Sequence, residues 1–206
     1  MFERLFPQEN TSLRSLAELS GKVAEAASLL SEMVGSNGAN NYPNLLTSML
    51  EHESHTQDLF FQTMTQVRST FTSPIPREDL YTLASHLMTA TEHLTSAGHL
   101  LSLYKIDRFS SHTTTLLDII QREAVLTTAV LPRLEELKSL DQYWIDMLRI
   151  SRQASRTAQA YTAEIMDKYK TNRFLQTEQF IQELSATSYS MRGVSSQIGR
   201  IIVQES

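Results

Sequence analysis

An all-α protein of six long helices is predicted by three observations. Apolar residues recur in steps of three and four along most of the chain, breaks rich in proline, glycine or asparagine interrupt that pattern, and no stretch shows the strict alternation of a half-buried strand. Three predicted helices precede a midpoint at Ile106–Ser111 and three follow it. The expected architecture is therefore two three-helix bundles within one unit covering 1–206, with approximate halves 1–108 and 109–206.

The first helix begins after Pro7, where Gln8, Asn10, Thr11 and Ser12 offer N-caps to a stripe of Leu16, Leu19, Val23, Ala27, Leu30 and Val34. The segment from Gly35 to Pro43 stops it, and is too short to link separate domains. A second helix then carries Met49, Thr56, Phe60, Met64, Val67 and Phe71, and a third carries Leu80, Leu83, Leu87, Leu94 and Leu101. Between them lies the most distinctive string in the chain, Phe71-Thr72-Ser73-Pro74-Ile75-Pro76-Arg77-Glu78-Asp79-Leu80. Ser73 is pushed out of helical geometry by the following proline, Pro76 has the φ of a first helical turn, and Glu78 and Asp79 suit the positive end of a helix dipole. A short connection of this kind packs its two helices antiparallel.

The fourth helix, from about His112 to Lys138, presents Leu116, Ile119, Leu126, Val130, Leu134 and Leu137, with a kink expected at Pro132. The fifth starts near Asp141 and buries Met147, Ile150, Ala154, Ala158, Tyr161 and Ile165. The sixth is the most regular: Phe180, Leu184, Thr187, Met191, Val194, Ile198 and Ile201 form a coiled-coil-like seam whose expected partner is the fifth helix. Gly21, Gly98, Gly193 and Gly199 fall inside these helices, where glycine marks close packing more often than catalysis.

Composition excludes several function classes. Of 206 residues, 41% are hydrophobic and 20% charged, which argues against disorder, and the net charge of -5 supplies no basic field for a phosphate backbone. Nucleic acid is therefore not an expected partner. The absence of cysteine removes disulfides and thiolate nucleophiles and fits a reducing compartment. No apolar run has the length of a membrane span and Met1–Pro7 lacks a secretory core, so a soluble cytoplasmic protein is expected. Catalysis is not expected either: the chain has no Glu-x-x-His, no His-Glu-x-x-His, no phosphate-cradling glycine loop and no serine nucleophile elbow.

Three features together resemble the PhoU-like family, in the branch that accompanies Pit-type inorganic phosphate transporters. They are the opening Met1-Phe2-Glu3-Arg4-Leu5-Phe6-Pro7-Gln8-Glu9, the segment Leu50-Glu51-His52-Glu53-Ser54-His55, and the string from Phe71 to Leu80, which resembles the branch's Phe-x-Thr-Pro-Ile-Asp-Arg-Glu-Asp-Ile signature. The resemblance implies two three-helix bundles, a role in phosphate uptake or its regulation, and metal clusters held by Glu/Asp-x-x-x-Asp pairs. Its implied partners are an inorganic phosphate transporter or a phosphate-signalling protein, with the chain held at the inner face of the membrane through that partner.

The departures from the family pattern bear on the metals. Residues at i and i+4 share a helix face, which is how such a pair can chelate a cation. Here Glu51 is followed by His55 where the family has Asp, Met88 and Thr89 replace the next acidic pair with Glu92 kept, and the matching positions later are Ser151, Ser155, Ser185 and Tyr189. Nowhere in the chain does one Asp or Glu follow another at four residues. Counting about 100° per residue, Glu51, His55 and Glu92 all point away from the apolar stripes. They make an O/N/O set of the kind zinc or ferrous iron accepts, weakly held if at all; the plainer reading is three solvated surface residues, with no cofactor. His52 and Glu53 lie nearer the buried flank, His86 and His93 share a flank without a neighbouring carboxylate, and His99 and His112 carry no pattern.

Two function classes remain. One is a non-catalytic accessory or regulator of inorganic phosphate transport, docking on a permease or its regulator. The other is a structural helical-bundle scaffold that has lost the family's metal-dependent role and assembles with itself. Exposed apolar residues on a bundle face favour docking, and a self-complementary seam on the sixth helix favours homo-oligomers. Phe2, Leu5 and Phe6 either pack back on the bundle or touch a membrane or permease.

Overall fold

Steps of three and four become six long helices in the computed structural model, which describes residues 11–36, 39–69, 73–136 and 140–205. They are α1 (Thr11–Gly35), α2 (Tyr42–Ser69), α3 (Arg77–Tyr104), α4 (Ser111–Val130), α5 (Asp141–Lys168) and α6 (Thr171–Glu205). Short 3-10 turns at Ala39–Asn41 and Leu131–Arg133 precede α2 and follow α4, and no strand occurs among the described residues. The first three helices pack on one another, the last three do the same, and the two triplets meet broadly through α3 on α6 and α1 on α4. Buried residues from all six helices join in one continuous core. Phe2, Leu5, Phe6, Phe71 and Leu137, singled out in the sequence, lie outside the described residues.

The stripes account for that core. On α3, Leu80, Leu83, Leu87, Leu94 and Leu101 are all buried, as are Met147, Ile150, Ala154, Ala158, Tyr161 and Ile165 on α5. On α2 the stripe is shallower, with Met49, Thr56, Thr63 and Val67 buried and Phe60 and Met64 only half-buried. Thr56 and Thr63 can sit inside because each hydroxyl donates to the carbonyl four residues back, at 2.8 and 2.7 Å.

Three sequence expectations are corrected. Pro132 does not kink a continuing helix: α4 stops at Val130 and the chain turns through Leu131–Arg133, because proline lacks the N–H that would extend the ladder. Pro76 is the N-cap of α3, with φ -51° and ψ 138°, and its carbonyl accepts from Asp79 and Leu80 at 2.9 and 3.2 Å. The α6 seam packs most extensively on α3 and only then on α5. Its apolar residues match either neighbour, so spacing alone could not choose between them.

The midpoint is anchored. Lys105 ends α3 in the left-handed region at φ 50°, which directs the Ile106 N–H back to the Leu101 carbonyl at 3.1 Å. Ile106 is itself fully buried, and its carbonyl accepts from the buried Tyr42 hydroxyl at 2.5 Å.

Helical glycines divide by what faces them. A Cβ at Gly98 would strike the Met49 thioether, one at Gly193 the His86 ring and one at Gly199 the Trp144 indole, whereas Gly21 has open space. Close packing therefore explains three of the four. Gly199→Val is expected to cost about 1–3 kcal/mol, because the rigid indole must move. Gly21→Ala is expected to gain roughly 0.5–1 kcal/mol from helix propensity alone. Urea unfolding of the two variants measures the contrast, and equal effects would contradict the packing account.

Candidate functional site

The three candidate metal ligands of the first half come from α2 and α3. Glu51 and His55 are exposed on one face of α2 and Glu92 is exposed on α3. Among the described residues no three His, Asp or Glu side chains form a group that could hold a metal ion, so these three are not assembled into one. The group that feels Glu92 is Glu53. Its carboxyl is raised above the usual range by burial, eased by the Thr95 hydroxyl and raised again by the Glu92 charge.

His52, His93 and His86 have structural partners. His52 bonds through Nε2 to the Lys22 carbonyl at 2.9 Å and lies 3.6 Å from Glu25, in keeping with its buried flank. His93 does have a carboxylate beside it, against the sequence reading: Glu183 of α6 meets its Nδ1 at 2.8 Å. That partner lies far away in sequence, so no local pattern could reveal it. His86 packs over Gly193 and burial holds its pKa below the usual value.

In the second half the four positions singled out by the family resemblance come together. Ser151 and Ser155 on successive turns of α5, and Ser185 and Tyr189 on successive turns of α6, line one cavity of about 360 Å³, with Ser188 and Arg192 completing the α6 side. The outer hydroxyls bond their own helices, Ser155 to the Ser151 carbonyl at 3.1 Å and Ser185 to the Ile181 carbonyl at 2.9 Å. The inner pair turns away from the opening: Ser151 and Ser188 both donate to Oε1 of Glu123, at 3.0 and 2.9 Å.

Glu123 comes from α4 and is fully buried. Its Oε2 has no hydrogen-bond partner, so the carboxyl is only half satisfied. Burial pushes its pKa up to about 8, the two serine hydroxyls opposing that rise. Beside it the Tyr143 hydroxyl shares a 2.9 Å hydrogen bond with Thr127, and Thr127 also donates to the Glu123 main-chain carbonyl at 2.7 Å. Burial raises the Tyr143 pKa, and the Glu123 charge raises it further. At neutral pH two of the lining serines are thus bound to a neutral acid that does not itself line the cavity, and the one cationic lining group is Arg192.

This donor set does not fit a multinuclear metal cluster. Hard cations are held by several carboxylate or carbonyl oxygens, and the groups lining the cavity are serine and tyrosine hydroxyls, alanine and an arginine. No histidine or lysine lines it either, so the serines have no lining base. Sequence reasoning found four of the lining positions but missed Ser188 and Arg192, and with them the buried Glu123 that holds Ser151 and Ser188.

No helix among the described residues is long and apolar enough to cross a membrane. Comparison with protein-family models finds no match, and no curated protein matches the chain.

Proposed function

We propose that this chain is a non-catalytic accessory of inorganic phosphate transport, docking on a phosphate permease or a phosphate-signalling protein at the inner face of the membrane. One observation carries the reading. Four positions equated with the PhoU-like family by sequence resemblance, on two helices, converge on one cavity, which is what a correct correspondence requires. With hydroxyls in place of carboxylates there, the fold acts by binding partners rather than by metal chemistry.

Docking is favoured over the self-assembling scaffold by what the helices leave uncovered. The α6 seam is consumed inside the chain: Phe180, Leu184, Thr187, Met191, Val194, Ile198 and Ile201 are all buried. On α2 and α3, by contrast, Phe61 and Tyr81 are 63% and 56% exposed, both stacked near Phe60 at centroid distances of 5.6 and 6.4 Å. Exposed aromatic rings of this kind are typical anchors of protein contacts.

The test is crosslinked co-purification of the tagged protein from its native cells, phosphate-replete and phosphate-starved, with partners identified by mass spectrometry. A phosphate permease or its regulator, recovered in amounts that follow phosphate supply and lost in a Phe61→Ser/Tyr81→Ser variant, is the expected result. Recovery of the chain alone in both conditions would overturn it in favour of the scaffold.

A further inference from the structure

The opposite flank of α5 carries a feature that the phosphate-transport reading does not use. Arg149, Arg152 and Arg156 recur at helical spacing and, with His112, Gln153 and Thr157, line an open groove of about 450 Å³ between α5 and the start of α4. All three arginines are exposed. None has a hydrogen bond or ion pair to any described residue, and no carboxylate lines the groove. Glu164, which lies 3.5 Å from the His112 ring, is already engaged by Lys168 at 2.6 Å and by the Ser110 hydroxyl at 2.5 Å.

Three unpaired guanidinium groups along one face repel one another, in a chain whose net charge is -5. Three other arginines do have acidic partners: Arg133 holds Glu136, Arg173 holds Asp107 and Arg200 holds Asp79. Leaving three together without one is a cost that an anionic ligand offsets. From Arg149 to Arg156 the helix rises roughly 10 Å at about 1.5 Å per residue, longer than a single orthophosphate ion. Each guanidinium presents a planar fork that matches two oxygens of a phosphoryl group. Gln153 and Thr157 add neutral donors beside the charges, and the His112 ring lines the same groove.

We propose that the Arg149–Arg152–Arg156 groove binds a ligand carrying two or more phosphoryl groups. The site stands on the arginines alone and does not depend on the accessory role. The phosphoryl groups come either from a soluble compound or from a multiply phosphorylated lipid headgroup, and the experiment separates the two sources.

Inorganic tripolyphosphate, orthophosphate and citrate are titrated into the intact chain by calorimetry. In a parallel arm the chain is sedimented with phosphatidylcholine vesicles, with and without a bisphosphorylated inositol lipid. One tripolyphosphate should bind per chain, more tightly than either orthophosphate or citrate. Arg152→Gln should weaken it by about tenfold or more, as loss of a charge-assisted bidentate contact does, and Arg152→Lys should not restore it. Both variants should melt with the parent chain, since the side chain is solvated. Sedimentation that needs the phosphorylated lipid and is lost in Arg152→Gln, without tripolyphosphate binding, would support the same chemistry with a lipid source. Citrate binding as tightly as tripolyphosphate, binding indifferent to Arg152→Gln, or no saturable binding in either arm would overturn the proposal.

Discussion

Replacing Glu123 with glutamine is expected to remove most of the pH dependence of stability between pH 5 and pH 8. The carboxyl has its proton affinity raised from an unfolded value of 4.5 to about 8 in the folded chain. Below pH 4.5 both states hold the proton and the group contributes no slope. Between those values only the unfolded chain releases it, so unfolding is favoured progressively as pH rises; above pH 8 both states are ionised and the loss is complete. Across the full window that amounts to about 5 kcal/mol at most. The glutamine side chain of Glu123→Gln would keep an oxygen for Ser151 and Ser188 but could not ionise. The variant should match or fall slightly below the parent at pH 5, where its added amide donors need partners, and exceed it by several kcal/mol at pH 8. His86 works against Glu123, because burial lowers its pKa and so favours the folded state as pH rises towards neutral. Subtracting the variant from the parent cancels that contribution. Urea midpoints at pH 5, 6.5 and 8 are the measurement, and a parent-minus-variant difference that stays flat would mean that the buried acid is ionised or hydrated in the folded chain.

Much of this fold is legible because helix stripes are a local signal. Leu80 to Leu101 or Met147 to Ile165 are read by counting alone, and the structure buries each of them. Glu123 was equally available to counting: it falls four residues after Ile119 and seven after Leu116, on the buried face of α4. Reading stripes for apolar residues passes over a polar one on the same face, although a buried acid is more informative than another leucine. The arginine groove was hidden by averaging. A net charge of -5 gives no hint that three cations on α5 share a flank without a carboxylate. Choice of partner is the part that sequence spacing does not hold. Whether α6 lies on α3 or α5, and whether His93 meets Glu183, depends on how helices distant in sequence are brought together.

Asp79→Ala is expected to cost about 3 kcal/mol, more than any other single polar deletion on the α3–α6 interface. Asp79 sits in the first turn of α3, where a negative charge complements the helix dipole, but its depth is what raises the stakes: only 1% of its side chain is exposed. It accepts from the Gln197 amide at 2.6 Å and from the Arg200 guanidinium, both on α6. Removing the carboxylate leaves a buried amide without its acceptor at the broadest contact between the two helix triplets. Removing Arg200 should matter less, roughly 1 kcal/mol, because that side chain is 52% exposed and water replaces much of what it loses. Gln197→Ala should fall between them. Asp79→Asn preserves the shape and one acceptor while discarding the charge, so a double-mutant cycle of Asp79→Asn with Arg200→Ala isolates the ionic part from the hydrogen bond to Gln197. If the latch also holds the register of the two triplets, amide exchange at Leu83 and Ala84 should quicken in Asp79→Ala more than global unfolding alone produces. A loss below about 0.5 kcal/mol in Asp79→Ala would instead place this contact among those that α3 and α6 do not need.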